Sequence, residues 1–194
     1  MIKALWLFLF LLVICTSGYC EDDSAILAQG SWNIGIWTGG GSGVTGTTTD
    51  TTLWLTGARF GKVLTGERGS GILRGRLEYA VEAIPAFVVF QDSTVYGFDL
   101  TPLLLKWNFT STHHRWIPYF ETGAGMLFTT DDVPEKTFPF NFTPQAGFGF
   151  HILTGRKQAF TLAFKYMHIS NGGLDRPNPG INSVQVLVGY HWFR

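Results

Sequence analysis

From Phe160 to Trp192 the chain alternates with a period of two, and this narrows its possible folds more than any other feature. Phe160, Leu162, Phe164, Tyr166, His168 and Ser170 share one face of a first strand. Asn182, Val184, Val186, Val188, Tyr190 and Trp192 share one face of a second. Successive strand side chains point to opposite faces, so His168, Ser170 and Asn182 lie among the aromatics. The run between the strands, from Asn171 to Ile181, is dense in Gly, Pro and Asn and reads as a loop. Polar groups at the end of a greasy face suit a soluble core badly. They suit a face that meets lipid and acts on it.

The same period recurs along the chain and gives eight strands. The first covers about 31–38, with Trp32, Ile34 and Ile36 alternating. The second covers 52–64, with Trp54, Ala58 and Phe60 on its apolar face. The third, 72–84, sets Leu73, Leu77, Tyr79, Val81 and Ala83 against Arg74, Arg76, Glu78 and Glu82. The fourth, 96–109, loses its alternation near Pro102, which predicts a bulge there. The fifth, 116–128, sets Glu121 against Phe120, Ala124, Met126 and Phe128. The sixth, 140–153, sets Phe140, Phe142, Phe148, Phe150 and Ile152 against Gln145 and His151.

Composition then selects the environment. Of the 194 residues 45% are hydrophobic and 14% charged, whereas a soluble domain carries about 25% charged residues. Beyond the N-terminus no apolar run reaches the roughly 18 residues of a membrane helix. A chain rich in Phe and Gly, short of charge and without a spanning helix fits a transmembrane β-barrel, whose alternating strands escape helix-based hydropathy. The expected fold is therefore all-β: an eight-stranded antiparallel transmembrane β-barrel. Arg74, Arg76, Glu78, Glu82, Glu121, Gln145, His151, Lys165 and Gln185 fall on the second face, which becomes the lumen. An eight-stranded lumen is just wide enough to be filled by side chains. Charges of both signs can pair there, as buried charges must. A soluble sandwich or a lipocalin-like barrel would turn the aromatics inward; the number of outward Phe, Tyr and Trp argues against both.

Residues 1–20 stand apart from this pattern. Lys3, an apolar stretch from Leu5 to Ile14, small residues and then Glu21-Asp22-Asp23 form a secretory signal peptide, with cleavage expected after Cys20. Residues 21–194 are then the barrel domain. Cleavage removes Cys15 and Cys20, leaving no cysteine for a disulfide. The formal charge of the whole chain is zero, which offers nothing to nucleic acid. Expected connections alternate in length: 39–51, 85–95, 129–139 and 171–181 are long, and 65–71, 111–115 and 154–157 are short. Outer-membrane barrels pair long external loops with short periplasmic turns, which places both termini in the periplasm and the 171–181 loop outside. The Gly- and Thr-rich 39–52 stretch reads as a loop of low complexity.

The loop and its flanks carry a resemblance. Tyr166-Met167-His168-Ile169-Ser170-Asn171-Gly172-Gly173, followed by Pro177-Asn178-Pro179-Gly180-Ile181-Asn182-Ser183, resembles the motif of the outer-membrane lipid A 3-O-deacylase (PagL-type) family. The motif covers about 165–193, and the size and strand pattern extend it loosely over the rest. The resemblance implies a barrel of the bacterial outer membrane whose lipid-facing site hydrolyses an ester-linked hydroxyacyl chain of lipid A. Carried over, His168 is the general base and Ser170 the nucleophile. The family's Glu, at the end of an Asn-Pro-Gly-Ile-Glu stretch, is Asn182 here. The partner is lipid A or lipopolysaccharide in the outer leaflet, and the mechanism calls for no cofactor and no metal. Oligomeric state stays open.

The residue types agree with these roles. A serine hydroxyl becomes a nucleophile when a neighbouring base takes its proton. Residues i and i+2 on a strand face are about 6.5–7 Å apart at the backbone, close enough for two side chains to lean together. A third group holds the imidazole, and Asn182 falls on the correct face. Asn171 with the amides of Gly172 and Gly173 is a candidate oxyanion site. An amide cannot balance an imidazolium as a carboxylate does, so a weakened or inactive lipid-binding barrel is the alternative, and acyl transfer a third. Asp175 is the acid that could replace the missing Glu.

Plainer roles exist for most of these groups. His168 could belong to an interfacial girdle, Ser170 could begin a turn, and Asn178-Pro179-Gly180 reads as turn chemistry. His113-His114 with Arg115 reads as a hydrated turn. His151 and His191 face the lumen and are expected to be hydrogen-bonded there. Asp131, Asp132 and Glu135 read as a solvated loop in preference to a cation site.

Overall fold

The computed structural model describes residues 26–44, 50–111 and 115–194. The expected signal peptide, His113-His114 and part of the Gly/Thr stretch lie outside these residues. Eight strands follow in chain order: β1 (Trp32–Gly43), β2 (Thr52–Val63), β3 (Gly75–Phe90), β4 (Thr94–Phe109), β5 (Trp116–Thr129), β6 (Phe140–Gly155), β7 (Gln158–Ile169) and β8 (Ile181–Phe193). Each pairs antiparallel with its sequence neighbour, and β1 pairs with β8 to close the barrel. No helix among the described residues is long and apolar enough to cross a membrane.

The period-two pattern sets the two faces. Trp32, Ile34, Ile36, Trp54, Phe60, Phe120, Phe148, Phe164 and Trp192 are exposed on the outside. Stacked outer pairs such as Trp32–Phe60 and Phe148–Phe164, with centroids 4.7 and 5.3 Å apart, cover adjacent strands. Glu78, Glu82, Glu121, Gln145, His151, Lys165 and Gln185 are buried inside, as the alternation requires. Arg59 and Lys106 join them.

These lumen charges form one paired layer. Arg59 Nη2 lies 2.7 Å from Glu82 and 2.8 Å from Glu121. Lys165 Nζ lies 3.1 Å from Glu82 and 3.4 Å from Glu121. Lys106 Nζ pairs with Glu78 at 3.2 Å and with His151 Nε2 at 3.0 Å. Asn33 and Asn108 donate to Glu78, and Asn33 also bonds His191. The charged layer sits between two apolar plugs. One holds Trp37, Leu55, Ile84, Phe87, Leu127 and Met167. The other holds Ile26, Leu27, Val63, Ile117, Ala159 and Phe193.

Three expectations need correction. The 85–95 segment is no long loop: β3 runs to Phe90 and β4 starts at Thr94, leaving 91–93 as the turn. A register shift between Ile84 and Phe87 absorbs Pro85 and breaks the alternation that a period-two scan follows. The 65–71 connection is longer than expected, 64–74, and contains a 3-10 turn at Gly71–Leu73. Arg74 therefore lies outside the lumen, in an exposed pair with Glu67 at 3.4 Å. The bulge expected near Pro102 is present as a shift between Leu100 and Leu103.

Candidate active site

The β7–β8 register sets His168 directly opposite Asn182 on the outer face. His168 Nδ1 lies 2.6 Å from Asn182 Oδ1. A carbonyl oxygen only accepts, so Nδ1 carries the proton and donates it. Nε2 is then the lone-pair nitrogen, the tautomer a general base needs. Both side chains are half-buried, in the plane where Tyr166 and Val184 are exposed.

Ser170 follows the last residue of β7 and stays on the same face. A single bridge to β6 fixes its backbone: the Phe142 N–H donates to Ser170 O at 2.8 Å, and the Ser170 N–H donates to Phe142 O at 3.2 Å. Among the described residues no hydrogen bond joins the Ser170 hydroxyl to His168. Such bonds are often long before substrate binds and tighten in the reacting complex.

Gly180 packs against the imidazole from the loop side. Its φ is +69°, and a Cβ there would lie 2.9 Å from His168 Cε1 and 3.1 Å from Ile169 O. Backbone angle and space both demand glycine. In the sequence Gly180 reads as turn chemistry; its contact with the imidazole appears only when the hairpin closes.

The 170–180 loop is organised by Asn171, which is fully buried. Its Nδ2 donates to Asp175 O at 3.1 Å, and its Oδ1 accepts from the Gly173 N–H at 2.8 Å. Its own N–H donates to Asn178 Oδ1 at 3.1 Å. Of the three candidate oxyanion donors, Asn171 and the Gly173 N–H are thus engaged within the loop. Asp175 does not replace the family's Glu: it is exposed, and its Oδ1 accepts the Arg176 N–H at 2.7 Å. Asn182 is the partner that the imidazole has.

An aromatic wall borders the site along the lipid face. Phe128, Phe140 and Phe142 follow one another with centroids 4.9 and 5.2 Å apart, and Phe142 is the residue bridged to Ser170. The sequence placed Phe140 and Phe142 outward but gave no sign of their nearness to Ser170, which depends on the β6–β7 register.

The model of the lipid A 3-O-deacylase (PagL) family matches residues 29–191, nearly the whole described chain. The chain belongs to this family. A lipid A deacylase PagL of Bordetella bronchiseptica is 30% identical over 77 residues, which are 38% of this chain and 41% of that relative. The aligned stretch thus spans less than half of that protein. A crystal structure of the outer membrane enzyme PagL superposes with a TM-score of 0.54 at 16% identity, covering 81% of this chain and 97% of that one. The outer membrane protein OprG from Pseudomonas aeruginosa gives 0.59 at 14% identity, covering 86% and 96%. Neisserial surface protein A gives 0.53 at 10%, covering 84% and 95%. Barrels of differing description share the architecture, so the superpositions speak to fold, and family membership rests on the sequence match. This PagL-family chain is a bacterial outer-membrane protein.

Proposed function

We propose that this protein is an outer-membrane esterase that hydrolyses an ester-linked hydroxyacyl chain of lipid A. The observation that carries the proposal is the 2.6 Å contact between His168 Nδ1 and Asn182 Oδ1, made on the lipid face beside Ser170 in a PagL-family barrel. With Nδ1 protonated, Nε2 takes the proton of Ser170 as Oγ attacks the ester carbonyl. The Gly172 N–H, outside the Asn171 network, is the backbone donor left to receive the oxyanion. The intermediate collapses, the C–O bond to the sugar breaks, and Nε2 returns the proton to the departing alkoxide. Water then attacks the acyl-serine with His168 again as base, releasing the fatty acid. No step needs a cofactor. The substrate enters sideways from the outer leaflet, which accounts for a site on the outside of the barrel and puts the termini in the periplasm.

A second reading is favoured by one residue. Asn182 stands where the family has a Glu, which supports a barrel that binds lipid A with little turnover. Mass spectrometry of lipid A from cells expressing the protein, beside cells expressing Ser170→Ala, separates the two. Loss of one hydroxyacyl mass in the first culture alone supports the esterase. Unchanged spectra in both cultures, with folded protein in the outer membrane, favour the lipid-binding barrel.

A further inference from the structure

The two rims of the barrel differ in charge. At the rim that carries 91–93, 130–139 and 170–180, Asp92, Asp131, Asp132, Glu135 and Asp175 outnumber Lys136 and Arg176. At the rim that carries the chain ends, Arg68, Arg115, Arg156, Lys157 and Arg194 cluster. Glu67, the acidic residue there among those described, is already paired with Arg74.

On the outer wall at this basic rim lies an open groove of about 590 Å³. Ile34 and Trp192 give it an apolar floor, and Lys157, Gln158, Phe193 and Arg194 line its rim end. Its shape is held by bonds on both sides. The Phe193 N–H donates to Lys157 O at 2.9 Å, and Trp32 and Arg194 exchange backbone bonds of 2.6 and 2.8 Å. Tyr190 Oη donates to Gln158 Oε1 at 2.9 Å and its ring packs against Trp192. Lys62, one strand away, lies over the Trp32 ring at 4.6 Å and keeps its ammonium at the same level. Neither Lys157 nor Arg194 has an ion-pair partner among the described residues.

We propose that this groove is a binding site for an anionic glycerophospholipid. The phosphate lies between Lys157 and Arg194, Lys62 adds charge at the flank, and one acyl chain lies along Ile34 and Trp192. An apolar floor closed at one end by Lys157 and Arg194 matches a lipid with a negative head and a long tail, and these two cations favour anionic over zwitterionic heads. The site stands at the opposite rim from Ser170 and requires nothing of it.

The test is native mass spectrometry of the full-length barrel released from detergent with equal amounts of phosphatidylglycerol and phosphatidylcholine. The wild type is expected to retain phosphatidylglycerol preferentially. Lys157→Gln and Arg194→Gln are each expected to weaken that preference about fivefold, whereas Lys136→Gln, at the other rim, leaves it unchanged. Ile34→Trp fills the groove without changing charge and is expected to reduce retention of both lipids. Heat-modifiable gel migration confirms that each variant is folded. Equal retention of the two lipids by wild type, an equal effect of Lys136→Gln, or undiminished binding by Ile34→Trp would overturn the proposal.

Discussion

The amide of Asn182 does half of what a carboxylate would do. Its oxygen accepts the His168 Nδ1–H at 2.6 Å and so fixes the tautomer. It carries no charge to stabilise the imidazolium that would form in the proposed attack by Ser170. Replacing the acid by an amide in a serine protease triad costs about 10⁴-fold in turnover, part of it through the wrong tautomer. Here the tautomer is right and only the charge is missing, so Asn182→Glu is expected to raise deacylation of lipid A, by less than about 10⁴-fold. The rate is read as release of free hydroxy fatty acid by purified barrel in mixed micelles, with Ser170→Ala as the zero. An unchanged rate would show that charge at this position is not limiting. The cross-strand meeting of His168 and Asn182 was legible in the sequence, because a period of two fixes the face and a single hairpin fixes the neighbour. The fit of Gly180 against the ring was not, because it depends on how the loop folds back.

At the scale of the element, the 170–180 loop is held by its own polar groups more than by packing. Gly172, Leu174, Asp175 and Arg176 are exposed, while Asn171 is buried and bonded on both sides of its amide. Asn171→Ala removes two hydrogen bonds, at roughly 1 kcal/mol each, from a segment with little apolar burial to replace them. The expected outcome is local: a broad-specificity protease cuts within 170–180 on intact membranes, while the barrel keeps its heat-modifiable mobility. Resistance equal to wild type would mean that the loop is held by something other than Asn171. Alternation also explains which elements could be read. β7 and β8 pair without a register shift, and their pattern is unbroken. In β3 the shift between Ile84 and Phe87 is followed by Phe87, Val88 and Val89, all buried, so the pattern ends six residues before the strand does.

At the scale of the molecule, the lumen is solid. Apolar plugs seal a charged layer whose members touch one another, and a void beside Arg59 and Tyr119 measures about 10 Å³, room for at most one water. Pairing in such a place is a condition of folding, because a charge left without its partner has no water to replace it. Arg59 is the centre of the layer: it contacts both Glu82 and Glu121, which among the described residues otherwise share only the Lys165 cation. Arg59→Met keeps much of the side-chain volume and leaves two carboxylates facing one ammonium. The expected loss is about 3–5 kcal/mol, measured as a lower urea midpoint for unfolding from lipid vesicles with the slope unchanged. Adding Glu121→Gln restores charge balance and should recover part of that loss. If the Arg59→Met midpoint matches wild type, water reaches the layer and the barrel is more open than its packing indicates. If the midpoint falls and Glu121→Gln rescues it, the loss comes from charge imbalance in a sealed interior, and the chemistry of this protein is left to its outer surface.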